Sequence, residues 1–515
     1  MAGSSYPPQP SSAELEHIVS EIKDWSIAHG LTVRPPPTFV SAEVDPHGVL
    51  ATTAPVTLYP SPFPYVCFDQ AKAIQKTYNE LYASIARDEA FLQDIVEEIL
   101  EVDEFIAALW QIHLKVKQEG YVQHLALGLF RSDYMVHQDN DAERPAPIIK
   151  QVEFNTIASS FGGLSLQTAE MHRRYLVNAG YIAIPENGAT SGDPVLPHNT
   201  STHSLASGLR TAFHAYEDAR AGHQLCILFI VQEPERNIFD QRHLEYDLSG
   251  GSPVVPVFRL PFNQILEQTT VSQSSTRELL YRPPSSPLKV YEVAVVYYRS
   301  GYGPADYPNA SAWQARLQVE RSNAIKCPSI LTQLAGTKKV QQVLATPTAP
   351  STPSILGRFM QQDTACLPAL QDTFANIFPL DDSPAGLEAR KIALDPARCR
   401  GYVLKPQREG GGNNIYRAAI PPFLRALPET HWKSYILMEI ITPPPIHNLI
   451  LRSGVVEKGG VICELGVYGT CLWHQLSGKV LHNEEAGYLL RTKGDQSEEG
   501  GVAAGFGAMD SVVLV

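Results

Sequence analysis

The spacing of apolar and polar positions changes several times along the chain, and each change marks an element. From Ser11 onward, Leu15, Ile18, Val19, Ile22 and Trp25 recur at helical spacing. Ser11 and Glu14 stand at capping-box separation and Gly30 supplies a stop, so a helix is predicted over 11–30. After Pro35-Pro36-Pro37, an amphipathic pattern over 69–117 predicts two or three helices, with Glu97, Glu98 and Glu101 exposed. The period then shortens. Residues 125–130 read as an apolar strand ending at Arg131, and 148–155 as an alternating strand with a polar end; 138–147 is a turn-rich link. A helix follows Gly162-Gly163 as far as Val177. Apolar runs at 226–232, 293–298, 402–404, 435–441 and 465–468 predict further strands, the first opening a new unit. Residues rich in Pro, Gly, Ser and Thr predict a surface loop at 185–204, an insertion at 272–287 and a linker at 345–354. Strands mixed with helices along the whole length predict an α/β (α+β mixed) fold, without internal repeats or heptads.

Composition narrows the function. A length of 515 residues suggests roughly two to four domains. The net charge of −13 argues against a duplex nucleic acid as partner. Seven cysteines, an odd number with no CxxC pair, argue for reduced thiols in a cytoplasmic protein rather than a disulfide framework or a zinc site. The first ten residues lack the basic and apolar regions of a signal peptide, and no apolar run reaches membrane-spanning length, so no membrane partner is expected.

Four segments carry candidate chemistry. Lys405-Pro406-Gln407-Arg408-Glu409-Gly410-Gly411-Gly412-Asn413-Asn414 follows a strand. Three glycines let a backbone approach a ligand and offer N–H groups to phosphate, and Lys405 adds a point charge. The segment is neither a Walker A loop nor a dinucleotide fingerprint. Glu153 and Asn155 are two apart on a strand and face the same way, as an Mg²⁺ site or equally as a solvated strand end. Ser159, Ser160, Phe161, Gly162 and Gly163 suit an anion or equally a helix cap. Arg491 and Lys493 offer cations to a carboxylate or a phosphoryl group, and 500–505 reads as a pliable Gly/Ala loop or a flexible tail. No HExxH, GxSxG or ligand-spaced Cys/His cluster occurs.

Together these segments resemble the eukaryotic glutathione synthetases of the ATP-grasp superfamily. The resemblance runs through Arg131-Ser132-Asp133-Tyr134, Val152-Glu153-Phe154-Asn155-Thr156-Ile157 and Asn237-Ile238-Phe239-Asp240-Gln241. It continues through Ala324-Ile325-Lys326-Cys327-Pro328, the stretch 333–342, Lys405 to Asn414 and Gly501-Val502-Ala503-Ala504-Gly505. It implies an ATP-grasp fold with an inserted α/β substrate-binding domain and a Gly-rich lid. The divisions would be 1–223 (helical region and first part of the core), 224–325 (substrate-binding domain) and 326–515 (core, lid and C-terminal substrate loop). It implies joining γ-glutamylcysteine to glycine with ATP, and a homodimer. Arg131, Lys405 and Arg491 would be catalytic. Glu153, Asn155 and Glu409 would hold Mg²⁺, with two ions expected. Lys326, Lys405, Glu409, Gly410, Gly411, Gly412, Asn413, Asn414, Tyr416, Met438, Glu439, Ile441, Glu464 and Lys493 would hold the nucleotide. Arg131, Ser159, Ser160, Glu235, Asn237, Gln241, Arg299, Tyr302, Arg491, Val502 and Ala503 would hold the substrates. Ile440 stands where the family pattern suggests Lys. A sibling ligase using β-alanine or serine as the amine remains the alternative.

Overall fold

The computed structural model describes residues 6–138, 147–178, 196–216, 222–346, 354–360, 364–408, 413–497, 502 and 507–515. The N-terminal helix, Ser12–Ala28, starts from Ser11 with both capping-box bonds made. The amphipathic region resolves into three helices, Tyr65–Arg87, Glu89–Glu97 and Glu104–Glu119; Asp88 and Asp103 accept backbone N–H groups at the starts of the last two. Among the described residues, no helix is long and apolar enough to cross a membrane.

A thirteen-stranded mixed sheet organises the molecule. At its centre lies Leu125–His137. The strand does not end at Arg131 as its sequence suggests. Continued alternation and pairing with Val455–His474 carry it six residues further, leaving Arg131 mid-strand. On its other side the partner changes. Ala126 pairs in parallel with Lys326, whereas Arg131 to His137 pair antiparallel with Ile148–Asn155. The sheet therefore forks beside Arg131. Beyond the fork, Gln224–Val231, Tyr291–Tyr298 and Ile325–Cys327 run parallel, and the loops after the first two open at the fork. Crevices at the carboxyl ends of parallel strands are where open α/β sheets bind ligands.

Side chains of the central strand alternate between two cores. Ala126, Phe130 and Tyr134 pack with the three helices of 65–119, while Leu127 and Leu129 pack with helices Gly162–Asn178, Ser201–Ala215 and Ile238–Gly250. A separate four-stranded antiparallel sheet has the order Ile377–Pro379, Tyr435–Glu439, Tyr402–Pro406, Ile415–Tyr416. It packs on helices Pro384–Leu394 and Ile420–Ala426 around its own core of Leu380, Leu404, Trp432 and Leu437.

Three expectations are corrected. Residues 201–204, predicted as loop, begin the helix Ser201–Ala215, whose apolar face is buried; 185–195 lie outside the described residues. The 272–287 insertion contains the strand Leu279–Tyr281, paired on both sides. Ala345 belongs to the helix Lys338–Ala345 rather than to a linker, and 347–353 lie outside the described residues. Beyond the Gly/Ala segment, of which only residue 502 is described, Ala508–Asp510 and Val512–Leu514 are buried strands.

Candidate active site

The fork holds a cavity of about 790 Å³. Two of its walls come from register. Pairing sets Arg131 opposite Asn155 and Asp133 opposite Glu153, and Glu464 opposite Arg491 on the neighbouring hairpin. Arg131, Glu153, Asn155, Glu464, Arg491 and Lys493 all line the cavity. Behind them, the fully buried Asp133 accepts from Arg131 at 2.6 and 2.8 Å, from Asn155 Nδ2 at 3.0 Å and from Arg491 at 3.0 Å. Arg491 also pairs with Glu464.

A third wall is the turn from Asn155 into the helix Gly162–Asn178. Ala158 and Phe161 hold φ of 52° and 76°, unusual for residues with side chains, and such outliers gather at functional sites. Asp240 stabilises this shape: its carboxylate accepts the N–H groups of Phe161 and Gly163, each at 2.8 Å, at the positive end of the helix. A Cβ on Gly163 would lie 2.4 Å from the Asp240 carbonyl, so this approach requires glycine. Arg299, from the end of the Tyr291–Tyr298 strand, donates to Ser160 Oγ at 2.7 Å and pairs with Asp240 at 3.3 Å. Ser160 O accepts from Arg131 and from the Tyr468 hydroxyl at 3.2 and 2.6 Å. Glu235 accepts from Asn237 N and Gln241 Nε2 at 2.8 and 2.6 Å. Tyr302 lines this side too, its N–H donating to Asp306 at 3.2 Å. Ser159 Oγ, Asn237 Oδ1 and Gln241 Oε1 are buried without a hydrogen-bond partner. Unsatisfied polar atoms grouped on one cavity wall suit a polar ligand that completes them.

The small four-stranded sheet supplies the opposite wall: Lys405, Asn414, Tyr416, Met438, Glu439, Ile440 and Ile441. Lys405 Nζ bridges to the carbonyl of Val152 at 3.0 Å, joining the two sheets. Val502 lines the cavity as well. Asn413 does not line it, and Glu409, Gly410, Gly411, Gly412 and Ala503 lie outside the described residues.

Lys326 does not line the cavity; its buried ammonium donates to Ser322 O at 2.8 Å. Burial pushes its pKa down to about 8, despite nearby Glu320. Lys338 does not line the cavity either, but its Nζ lies 3.0 Å from the lining residue Glu153. It sits in the 333–342 stretch at the start of a helix, and no local signal separates it from its neighbour Lys339. Asp133 and Asp240 were also missed, because most of their partners come from segments distant in sequence.

Burial alone would raise the Glu153 carboxyl, but Lys338, Lys405, Arg491 and Arg131 hold it well below the usual range. Glu464 is raised by burial, only partly offset by Arg491. The Arg131 and Arg491 guanidiniums, destabilised by burial, are held firmly charged by acids: Asp133 for the first, Glu464 and Asp133 for the second. Among the described residues, no group of three or more His, Cys, Asp or Glu could hold a metal ion. Two oxygen donors, from Glu153 and Asn155, fit an ion such as Mg²⁺ that keeps water and phosphate in its shell.

Comparisons with known proteins agree with this geometry. The family model described as "Eukaryotic glutathione synthase, ATP binding domain" matches residues 12–514. The glutathione synthetase large chain of Schizosaccharomyces pombe is 40% identical over 97% of this chain and 98% of its own. The glutathione synthetase of Homo sapiens is 38% identical over 97% and 96%. A solved glutathione synthetase-like effector from Globodera pallida, in its apo form, shares the fold with a TM-score of 0.72 at 22% identity, over 98% of both chains. The mixed sheet and this likeness give an ATP-grasp-type fold. The chain belongs to the eukaryotic glutathione synthetases, ATP-dependent ligases that make glutathione.

Proposed function

We propose that this ligase joins the carboxylate of γ-glutamylcysteine to the amine of glycine, using ATP with Mg²⁺. The observation that carries the proposal is that one cavity joins Lys405 and Glu153 to Arg131, Arg299 and Asn237. A nucleotide phosphate and a peptide acid can therefore meet inside it. A carboxylate has no leaving group. Transfer of the γ-phosphoryl group from ATP gives an acyl phosphate and ADP; the amine attacks the carbonyl, and phosphate departs with one former carboxylate oxygen.

The protein's task is positioning and charge neutralisation. Lys405 and Lys338 hold the nucleotide phosphates, and Met438, Ile441 and Tyr416 flank the base. Arg131, Arg299, Ser159, Ser160, Asn237 and Gln241 hold the peptide. Arg491 and Val502 stand where the reacting end meets the amine. Glu153, Asn155 and Glu409 would hold Mg²⁺, which when bound would supply charge neutralisation at the phosphates. Residues 224–325 act as the peptide-binding unit and 326–515 carry most of the nucleotide side. The enzyme works in the cytoplasm as a homodimer. Exposed Phe39, Val44 and Val49 on one loop support a self-association surface.

The test is ADP release with γ-glutamylcysteine, with and without glycine, with β-alanine and serine in parallel. Glycine-dependent release with equimolar glutathione is expected. Release that ignores the amine, or a preference for β-alanine or serine, contradicts the proposal.

A further inference from the structure

Asp133 does not line the cavity, yet three cavity-lining side chains end on it. Both of its oxygens are occupied: Oδ1 by Arg131, Oδ2 by Arg131, Asn155 and Arg491. These partners arrive from three strands, Leu125–His137, Ile148–Asn155 and Val480–Gly494. The crossing strand leaves space for the cluster at Gly466, which pairs with Asp133. A Cβ there would lie 2.8 Å from both Arg131 Cδ and Asp133 Oδ1.

The charges explain why an acid is needed. Arg131 and Arg491 are cations drawn to one buried point, and two such cations without an anion between them repel. The other acid paired with Arg491 is Glu464, which shares the Nη2 that donates to Asp133. Asp133 therefore sets the balance: with it, Arg491 is held towards Arg131; without it, Arg491 is drawn to Glu464 alone.

We propose that Asp133 is a positioning residue that locks Arg131 and Arg491 into one array for the peptide substrate and does not itself touch a ligand. The proposal rests on the reading of the site given above. It makes Asp133 selective: peptide engagement depends on it through two arginines, while nucleotide binding, built largely on the small sheet, depends on it only through Asn155.

The test uses the full-length enzyme. Asp133→Asn keeps the shape and removes the charge. The expected result is a rise in KM for γ-glutamylcysteine of at least about tenfold, with a fall in kcat, since small misplacement of catalytic groups has large effects. Affinity for ATP should change by less than about threefold, within ordinary context effects. Combined with Arg491→Gln, Asp133→Asn should cost less than about threefold beyond Arg491→Gln alone, because residues acting as a unit are not additive. Gly466→Ala, which crowds the clamp without changing a charge, should show the same peptide-selective loss and serves if Asp133→Asn does not fold. Equal losses for ATP and peptide, or effects that multiply in the double variant, overturn the proposal. A wild-type enzyme that releases no ADP with γ-glutamylcysteine and glycine overturns the underlying reading as well, so the two failures are distinguishable.

Discussion

The two sides of the cavity are built differently. The peptide side is made by the large sheet and its first turn, where nearly every charge has a buried partner: Arg131 with Asp133, Arg299 with Asp240, Gln241 with Glu235. The nucleotide side belongs to a small sheet with a core of its own. Its polar ties to the rest join buried or half-buried groups to more exposed partners. They include Lys405 to Val152 O, Arg408 to Asp103 at 2.5 Å and Lys433 to Glu101 at 3.6 Å. The first side is held by buried charge pairs; the second is held by apolar packing, since the other face of the small sheet, with Ile377, Val403, Ile436 and Met438, is buried in the main core. Glu98 and Glu101 are exposed, as their patterning predicts, and pair with Lys339 and Lys433.

Breaking the rigid side should have the largest effect. Asp240→Ala removes the acceptor for two turn N–H groups and leaves Arg299 buried without its acid. A loss of about 3–5 kcal/mol is expected in chemical denaturation, the range for breaking a buried pair. Lys405→Ala tests the other side, where the effect should fall on chemistry rather than folding. The expected drop in turnover is about a hundredfold or more, with a nearly unchanged melting temperature. Near-wild-type turnover would remove Lys405 from the phosphate site.

Acid should sharpen the contrast. His172, on the helix that begins at the peptide side, is buried between Ser511 Oγ and Thr57 O. Burial pushes its pKa down to about 4, against a small opposing effect of the Thr57 carbonyl. The unfolded chain, titrating near 6.5, then binds the proton first. This contribution to stability is complete above pH 6.5 and is lost as pH falls towards 4. His172→Gln should flatten that part of the stability profile; an unchanged slope would contradict the assignment. Asp103→Asn gives the smallest effect. It preserves the cap on Ile106 N and removes only the charge facing Arg408. The KM for ATP should rise by no more than about two- to threefold, and added salt should reproduce that rise in the wild type, because partly exposed pairs are weak and screened.

Local patterns were legible where local physics decides the outcome. The capping box at Ser11, the strand Ile148–Asn155 and its Glu153–Asn155 face all appear as read. What failed depends on distant partners. The long hairpin of Val455–His474 and Val480–Gly494 carries glycines and charges that mask its period, so only 465–468 stood out. The position of Lys338 beside Glu153 could not be read locally either. Lys326 and Lys338 both follow family-like motifs, but strand pairing buries the first beside Ser322 while the helix start brings the second to Glu153. Asp133 looks like one polar residue in a strand until register brings Gly466, Asn155 and Arg491 around it.

The central claim is that phosphate and peptide acid meet in one cavity. It is tested most directly by labelling the glycyl-accepting carboxylate of γ-glutamylcysteine with heavy oxygen and analysing the phosphate released during turnover. One labelled oxygen per phosphate is expected, carried across in the acyl phosphate. Unlabelled phosphate, formed alongside glutathione, would contradict it.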